Sequence, residues 1–120
     1  MARTKRTVAR KARRKKVLQE TKGYFGRRKN LWTIAKEARE KALCYAYQGR
    51  KQRKREFRKL WIQRINAAAR QHGISYGVFV HGLTQANINL DRKSLSFLAA
   101  KDPDGFAGIV HEVKGFVEKG

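Results

Sequence analysis

The chain has 120 residues, room for one small domain and an extension, and its formal net charge of +21 lies entirely within residues 1–70. That stretch carries 25 Lys and Arg against Glu20, Glu37, Glu40 and Glu56, whereas residues 71–120 balance five bases with five acids. The single cysteine, Cys44, excludes an internal disulfide and a multi-cysteine zinc site, and no run is apolar enough to span a bilayer.

Residues 1–22, MARTKRTVARKARRKKVLQETK, place bases at every azimuth of a helical projection. No apolar stripe is available for core packing. The segment is expected to be disordered when free, and helical or extended against an anionic wall. It lacks the apolar centre of a secretory signal. The absence of acids before Glu20 suits an organelle transit peptide, but serine is scarce and the basic character continues to Arg70. Gly23-Tyr24-Phe25-Gly26 then interrupts the run, with two glycines for tight turning and an aromatic pair that can pack or stack.

Leu31, Ile34/Ala35, Ala38, Ala42 and Tyr45/Ala46 recur at three and four, which predicts an amphipathic helix over residues 30–48. Lys36–Glu40 and Glu37–Lys41 are weakly supporting i,i+4 pairs, and Gln48-Gly49 offers a bend. Residues 50–72 read as a second helix or a continuation of the first. Arg50, Lys54 and Arg58 share a face with Trp61, Ile65 and Ala68. One stripe is thus cationic for two turns and apolar afterwards, as suits a helix leaving a phosphate surface for a protein core. Trp61 is read as core, Cys44 as a small buried hydrophobe. Tyr24, Phe25 and Trp32 are equally suited to packing or to stacking on bases.

The last fifty residues are punctuated as compact α structure. Gly73 suits a left-handed helix ending, with Ile74 touching Ala69. Ser75 and Asp91 suit N-caps, with Ile74/Phe79 and Leu90/Leu95 at the flanking staple positions. Asp102-Pro103 is a cap followed by proline at the first helical position. The apolar spacing runs through Phe79, Leu83 and Ala86, then Leu95, Leu98 and Ala99, then Phe106, Ile109/Val110, Val113 and Val117. Three short helices follow, although Tyr76–Val80 also fits a strand. Gly108 and Gly115 weaken the last helix.

No nucleophile–base–acid set, glycine-rich phosphate loop or metal-ligand cluster is present, and His72, His81 and His111 are isolated, so neither catalysis nor a cofactor or metal is expected. The densest signal is RKQRKREFRKLWIQR, Arg50 to Arg64, in which Glu56 is the sole acid. Lysine supplies point charges for phosphate; arginine adds bidentate contacts and stacking. Bases on every face suit a crevice in folded RNA better than one side of a DNA groove. A DNA-architectural protein, an RNA-modifying enzyme and a cationic membrane-active peptide are the rivals. The opening Ala2-Arg3-Thr4-Lys5 looks like a histone tail, but nothing later has a histone pattern.

The string Phe57-Arg58-Lys59-Leu60-Trp61-Ile62-Gln63-Arg64-Ile65-Asn66-Ala67-Ala68-Ala69-Arg70 resembles the family of ribosomal protein twenty of the bacterial-type large subunit. Lys22-Gly23-Tyr24, Ala42 to Tyr47, Arg50 to Arg55, Gly73 to Tyr76 and Asp91-Arg92-Lys93 fit the same family in the same order. Gln48-Gly49-Arg50 departs from the Arg-Asp-Arg often found there. The resemblance implies an all-α protein with a long basic N-terminal helical extension, residues 1–56, and a small orthogonal array of about four helices, residues 57–120. It implies a structural role in the large ribosomal subunit, early in assembly, without enzymatic activity or cofactor. Implied partners are large-subunit rRNA, neighbouring large-subunit proteins and, in some members, messenger RNA, with no membrane. The location would be the ribosome of a bacterial cytoplasm, a plastid or a mitochondrion. The implied RNA contacts are Arg3, Lys5, Arg6, Arg10, Lys11, Arg13, Arg14, Lys15, Lys16, Lys22, Arg27, Arg28 and Lys29. A second set is Arg50, Lys51, Arg53, Lys54, Arg55, Arg58, Lys59 and Arg64.

Overall fold

A computed structural model describes residues 5–120. The described residues are all-α: α1 (Thr7–Glu20), a 3-10 turn (Gly26–Lys29), α2 (Trp32–Gln71), α3 (Tyr76–Gln85), α4 (Arg92–Lys101) and α5 (Pro103–Val117). The chain divides into two compact units between Lys51 and Gln52.

In the first unit, α1 is held at its C-terminal end. Val17 is buried, and the fully buried Thr21 places its hydroxyl 3.3 Å from the carbonyls of Val17, Leu18 and Lys29. One hydroxyl proton is shared among three acceptors, and the Lys29 contact ties the helix end to the 3-10 turn. Gly23 and Gly26, at φ 90° and 61°, let the chain reverse between them. The expectation that residues 1–22 offer no face for packing is therefore corrected at Val17 and Thr21. At the start of α2 only Ala35 of the predicted stripe is buried; Leu31, Ile34 and Tyr45 remain exposed. Cys44 is exposed too, against the expectation of a buried thiol.

Gly49 is helical, so residues 50–72 continue the helix that begins at Trp32. A glycine costs a helix interior about 1 kcal/mol relative to alanine, which forty residues of hydrogen bonding absorb. The helix ends as its sequence dictates. Gly73 has φ 82°, its N–H donates to Arg70 O at 3.0 Å, and Ile74 N–H donates to Ala69 O at 3.2 Å. This is the paired bonding of a Schellman ending. Lys114 Nζ, from α5, donates to the His72 carbonyl, satisfying another acceptor at the helix end.

The second unit's core is Ile65, Ala69, Phe79, Leu83, Leu95, Phe106, Val110 and Val113. It takes one face from each of the four helices, with α5 packing on both α3 and α4. Phe79 and Phe106 lie with ring centroids 5.3 Å apart and tilted by 42°. Residues 76–80 lie in α3, which settles the strand alternative in favour of helix. The Ser75 side chain accepts from Val78 N, Asp91 from Ser94 N and Asp102 from Gly105 N, so all three expected N-caps form. The end of α3 repeats the Schellman bonding: Asn87, at φ 59°, donates to Thr84 O, and Ile88 to Leu83 O.

Trp61 is a correction. It is half-buried and stands outside the core, which begins one turn later at Ile65. Gly82 of α3 and Gly108 of α5 play opposite parts. A Cβ on Gly82 would collide with Val113 and Val117, whereas one on Gly108 meets nothing within 4 Å. Gly82 is thus the point of close approach between α3 and α5. Gly82→Ala is expected to lower stability by about 1–3 kcal/mol through overpacking. Gly108→Ala should raise it by roughly 0.5–1 kcal/mol through helix propensity. Thermal melting of the two variants checks both signs.

Candidate nucleic-acid interface

Every candidate cation among the described residues is exposed: Lys5, Arg6, Arg10, Lys11, Arg13, Arg14, Lys15, Lys16, Lys22, Arg27, Arg28 and Lys29 in the first segment, and Arg50, Lys51, Arg53, Lys54, Arg55, Arg58, Lys59 and Arg64 in the second. Arg3 lies outside the described residues. Of the candidates described, only Lys59 has a carboxylate within ion-pair distance, Glu56 Oε1 at 3.2 Å. That pair is well exposed, with both side chains about two-thirds accessible, and contributes little. The other ion pair among the described residues, Arg39 with Glu20, joins α2 to the end of α1. The anticipated pairs Lys36–Glu40 and Glu37–Lys41 are not closed.

In place of acids, aromatic rings sit beside several cations. The Arg14 guanidinium lies 5.3 Å from the Trp32 ring centroid, Lys41 Nζ 5.6 Å from that of Tyr45, and Lys51 Nζ 5.4 Å from that of Tyr47. Such contacts orient a cation without neutralising it, leaving its charge available to an external anion. Of the three aromatics judged suited to stacking, Phe25 is 93 % exposed, Tyr24 is half-buried and Trp32 is covered in part by Arg14.

The second unit holds an open groove of about 770 Å³, lined by Arg53, Lys54, Phe57, Arg58, Trp61, Asp91, Arg92 and Lys93. Helix α2 supplies five of these residues at helical spacing. The start of α4 supplies the other three, because the Asp91 cap turns the chain there. Arg92 Nε donates to Tyr76 Oη at 3.0 Å, which fixes that guanidinium against α3. Asp91 is the groove's one acid, and its carboxylate is engaged: Oδ1 accepts from Ser94 N at 2.7 Å. Hydrogen bonding from the Ser94 side chain and backbone holds the Asp91 carboxyl below the ordinary 3.8, with Lys93 adding a smaller effect in the same direction. Sequence reasoning did not count Arg92, Lys93, Phe57 and Trp61 among the site residues. Arg92 and Lys93 lie in the neutral half of the chain, where the cap signal at Asp91 and the family resemblance of Asp91-Arg92-Lys93 were the pointers to them.

The family model for ribosomal protein L20 matches residues 3–109. The chain belongs to the ribosomal protein L20 family. It is 57% identical over 114 residues to the large ribosomal subunit protein bL20 of Cytophaga hutchinsonii, covering 95% of this chain and 99% of that protein. It is 55% identical over 118 residues to the protein of the same name from Chelativorans sp., covering 98% and 89%. A third relative so named, from Methylorubrum extorquens, is 54% identical over 119 residues, covering 99% and 98%. Family membership agrees with the all-α architecture and the dense unpaired charge described above.

The Asp91 cap generates a pH prediction. A carboxyl whose folded-state pKa is depressed adds stability above its unfolded value of 3.8 and loses it as pH falls through the lower folded value. Asp91→Ala is therefore expected to lower the melting temperature at neutral pH by a few degrees. Below pH 3.8 the gap between variant and wild type should narrow as the Asp91 carboxyl takes up its proton. Melting curves across that range check the narrowing.

Proposed function

We infer that this chain is a structural, non-enzymatic constituent of the bacterial large ribosomal subunit, binding large-subunit rRNA directly and supporting early subunit assembly. Family membership supports the reading, as does the name borne by the relatives. The structural observation that carries it is a surface of arginine and lysine with almost no acids of its own. Such a surface reaches its low-energy state only against an external polyanion.

The mechanism is phosphate neutralisation. Each cation that meets a phosphate releases condensed counterions, and the entropy of that release drives association. Bases on every side of α1 and of the middle of α2 suit phosphates approaching from several directions, as in a crevice of folded RNA. Residues 1–56 act as the RNA-binding extension and residues 57–120 as the globular domain. The candidate cations in both segments are the contacts, with Arg92 and Lys93 added at the groove. Exposed apolar side chains such as Leu31, Ile34 and Tyr45 are available to neighbouring large-subunit proteins or to RNA sugars. Among the described residues no helix is long and apolar enough to cross a membrane.

Filter binding of the whole chain to a large-subunit rRNA transcript tests the reading, with duplex DNA and an unrelated messenger RNA as competitors. Neither competitor should displace the rRNA at equal phosphate concentration. For about eight phosphates, log affinity should fall against log salt with a slope near −6 to −7. Replacing Arg50, Lys54, Arg55 and Arg58 together by glutamine should flatten the slope by roughly three to four units. All four are exposed, so melting should hardly move. A wild-type slope in that variant assigns the stripe to solvent and overturns its role.

A further inference from the structure

Phosphate neutralisation does not explain why the groove on the second unit has an aromatic wall. Phe57 and Trp61, one turn apart on α2, line it with ring centroids 6.2 Å apart and planes tilted by 32°. Trp61 is half-buried outside the core, and Phe57 is 46 % exposed. An exposed Phe57 beside a Trp61 covered only in part leaves an aromatic wall open to an occupant.

The rim specifies the chemistry of that occupant. Arg53, Lys54 and Arg58 border the rings from α2, and Arg92 and Lys93 from α4. The lone acid, Asp91, keeps its negative charge while capping α4, so the rim sets five cations against one carboxylate. The rim is also partly pre-ordered, since Tyr76 holds Arg92 in place. Trp61 and Lys93 line a second opening as well, with Arg64, Phe97 and Lys101. Flat apolar faces ringed by cations match a ligand that is flat and apolar at its centre and anionic at both ends. An unpaired nucleotide within an RNA chain has that form: a base with a π face, flanked by two phosphates. A base inside a duplex cannot reach the rings. An acidic peptide satisfies the rim but leaves them uncovered.

We propose that this groove binds an unpaired nucleotide of the RNA, with the base stacked on Trp61 and the flanking phosphates held by Arg53, Arg58 and Lys93. The proposal rests on the RNA-binding reading and adds to it a site that recognises a splayed base rather than a duplex backbone. The volume of about 770 Å³ admits one nucleotide with its neighbouring phosphates. Stacking supplies an attraction that salt does not screen, in contrast to the rest of the cationic surface.

The chain has two tryptophans, so Trp32→Phe in the full chain leaves Trp61 as the single indole reporter. Three probes are titrated: a short single-stranded oligouridylate, an RNA duplex with the same number of phosphates, and polyglutamate. Oligouridylate is expected to quench Trp61 emission strongly, while the duplex and polyglutamate bind with little quenching. Trp61→Ala should weaken oligouridylate binding roughly tenfold, the order of one base–aromatic stack, at an unchanged salt slope. Trp61→Phe should retain part of the affinity. The quenching measurement uses native Trp61, so it stands even if the alanine variant fails to fold. Oligouridylate that binds without quenching overturns the nucleotide site and leaves the RNA reading intact. Equal quenching by polyglutamate assigns the groove to an acidic protein instead. Failure of both RNAs to bind overturns the RNA reading itself.

Discussion

Uncompensated positive charge is the constraint on which this molecule turns. Residues 1–70 carry 25 bases and four acids, and two of those acids, Glu20 and Glu56, are engaged with Arg39 and Lys59. Two like charges a helical turn apart repel by under about 1 kcal/mol in water, and salt trims this further. Summed over so many cations, the repulsion still disfavours compaction of this half on its own terms. The fold answers by keeping these side chains exposed and by asking little of the first unit's interior. Among its described residues the buried hydrophobics are only Val17 and Ala35, with Thr21 closing the helix end by hydrogen bonds.

The second unit takes the opposite course. Its charge is carried at the α2 surface and the start of α4, while one face of each of four helices is apolar and buried. Local chemistry sets the helix ends: Ser75, Asp91 and Asp102 begin helices, and Gly73 and Asn87 end them. Packing then sets the separations, with Gly82 allowing Val113 and Val117 to lie directly against α3. A cationic helix thereby gains a stable footing that its own sequence could not supply.

What could be read from the sequence divides along a physical line. Caps and the Gly73 ending depend on contacts within five residues, so residue type and spacing reveal them. The repeat of Phe79, Leu83, Phe106, Val110 and Val113 likewise identifies core faces, because buried helices must present apolar residues at that period. Trp61 and Cys44 failed for different reasons. Periodicity tells which side of a helix is apolar, but not where its neighbours stop covering it, and along α2 the second unit's core begins at Ile65, leaving Trp61 one turn short. Cys44 was assigned to an interior on residue type, and it is exposed. The groove was invisible on grounds like those for Trp61, since Arg92 and Lys93 meet the α2 cations only through the path of α3 and α4. The Asn87 ending was missed because asparagine at positive φ looks like any surface polar residue until its backbone bonds are seen.

The two kinds of surface also divide the physics of binding. On the proposed reading, the exposed arginines and lysines of α1 and α2 supply an attraction to phosphate that is indifferent to base identity. That term steers the chain to any RNA and weakens as salt rises. The proposed nucleotide groove, with Trp61 and Phe57 in its wall, would act only at contact and would require a base freed from pairing. Charge alone cannot choose among folded RNAs of equal phosphate density, whereas a site demanding one splayed nucleotide beside a dense backbone can. The groove stands against the packed core of the second unit, and Tyr76 holds Arg92 within it. On that proposal, choice of the RNA rests on the groove's rings, and the salt-dependent attraction rests on the wider cationic surface that includes the groove's own rim.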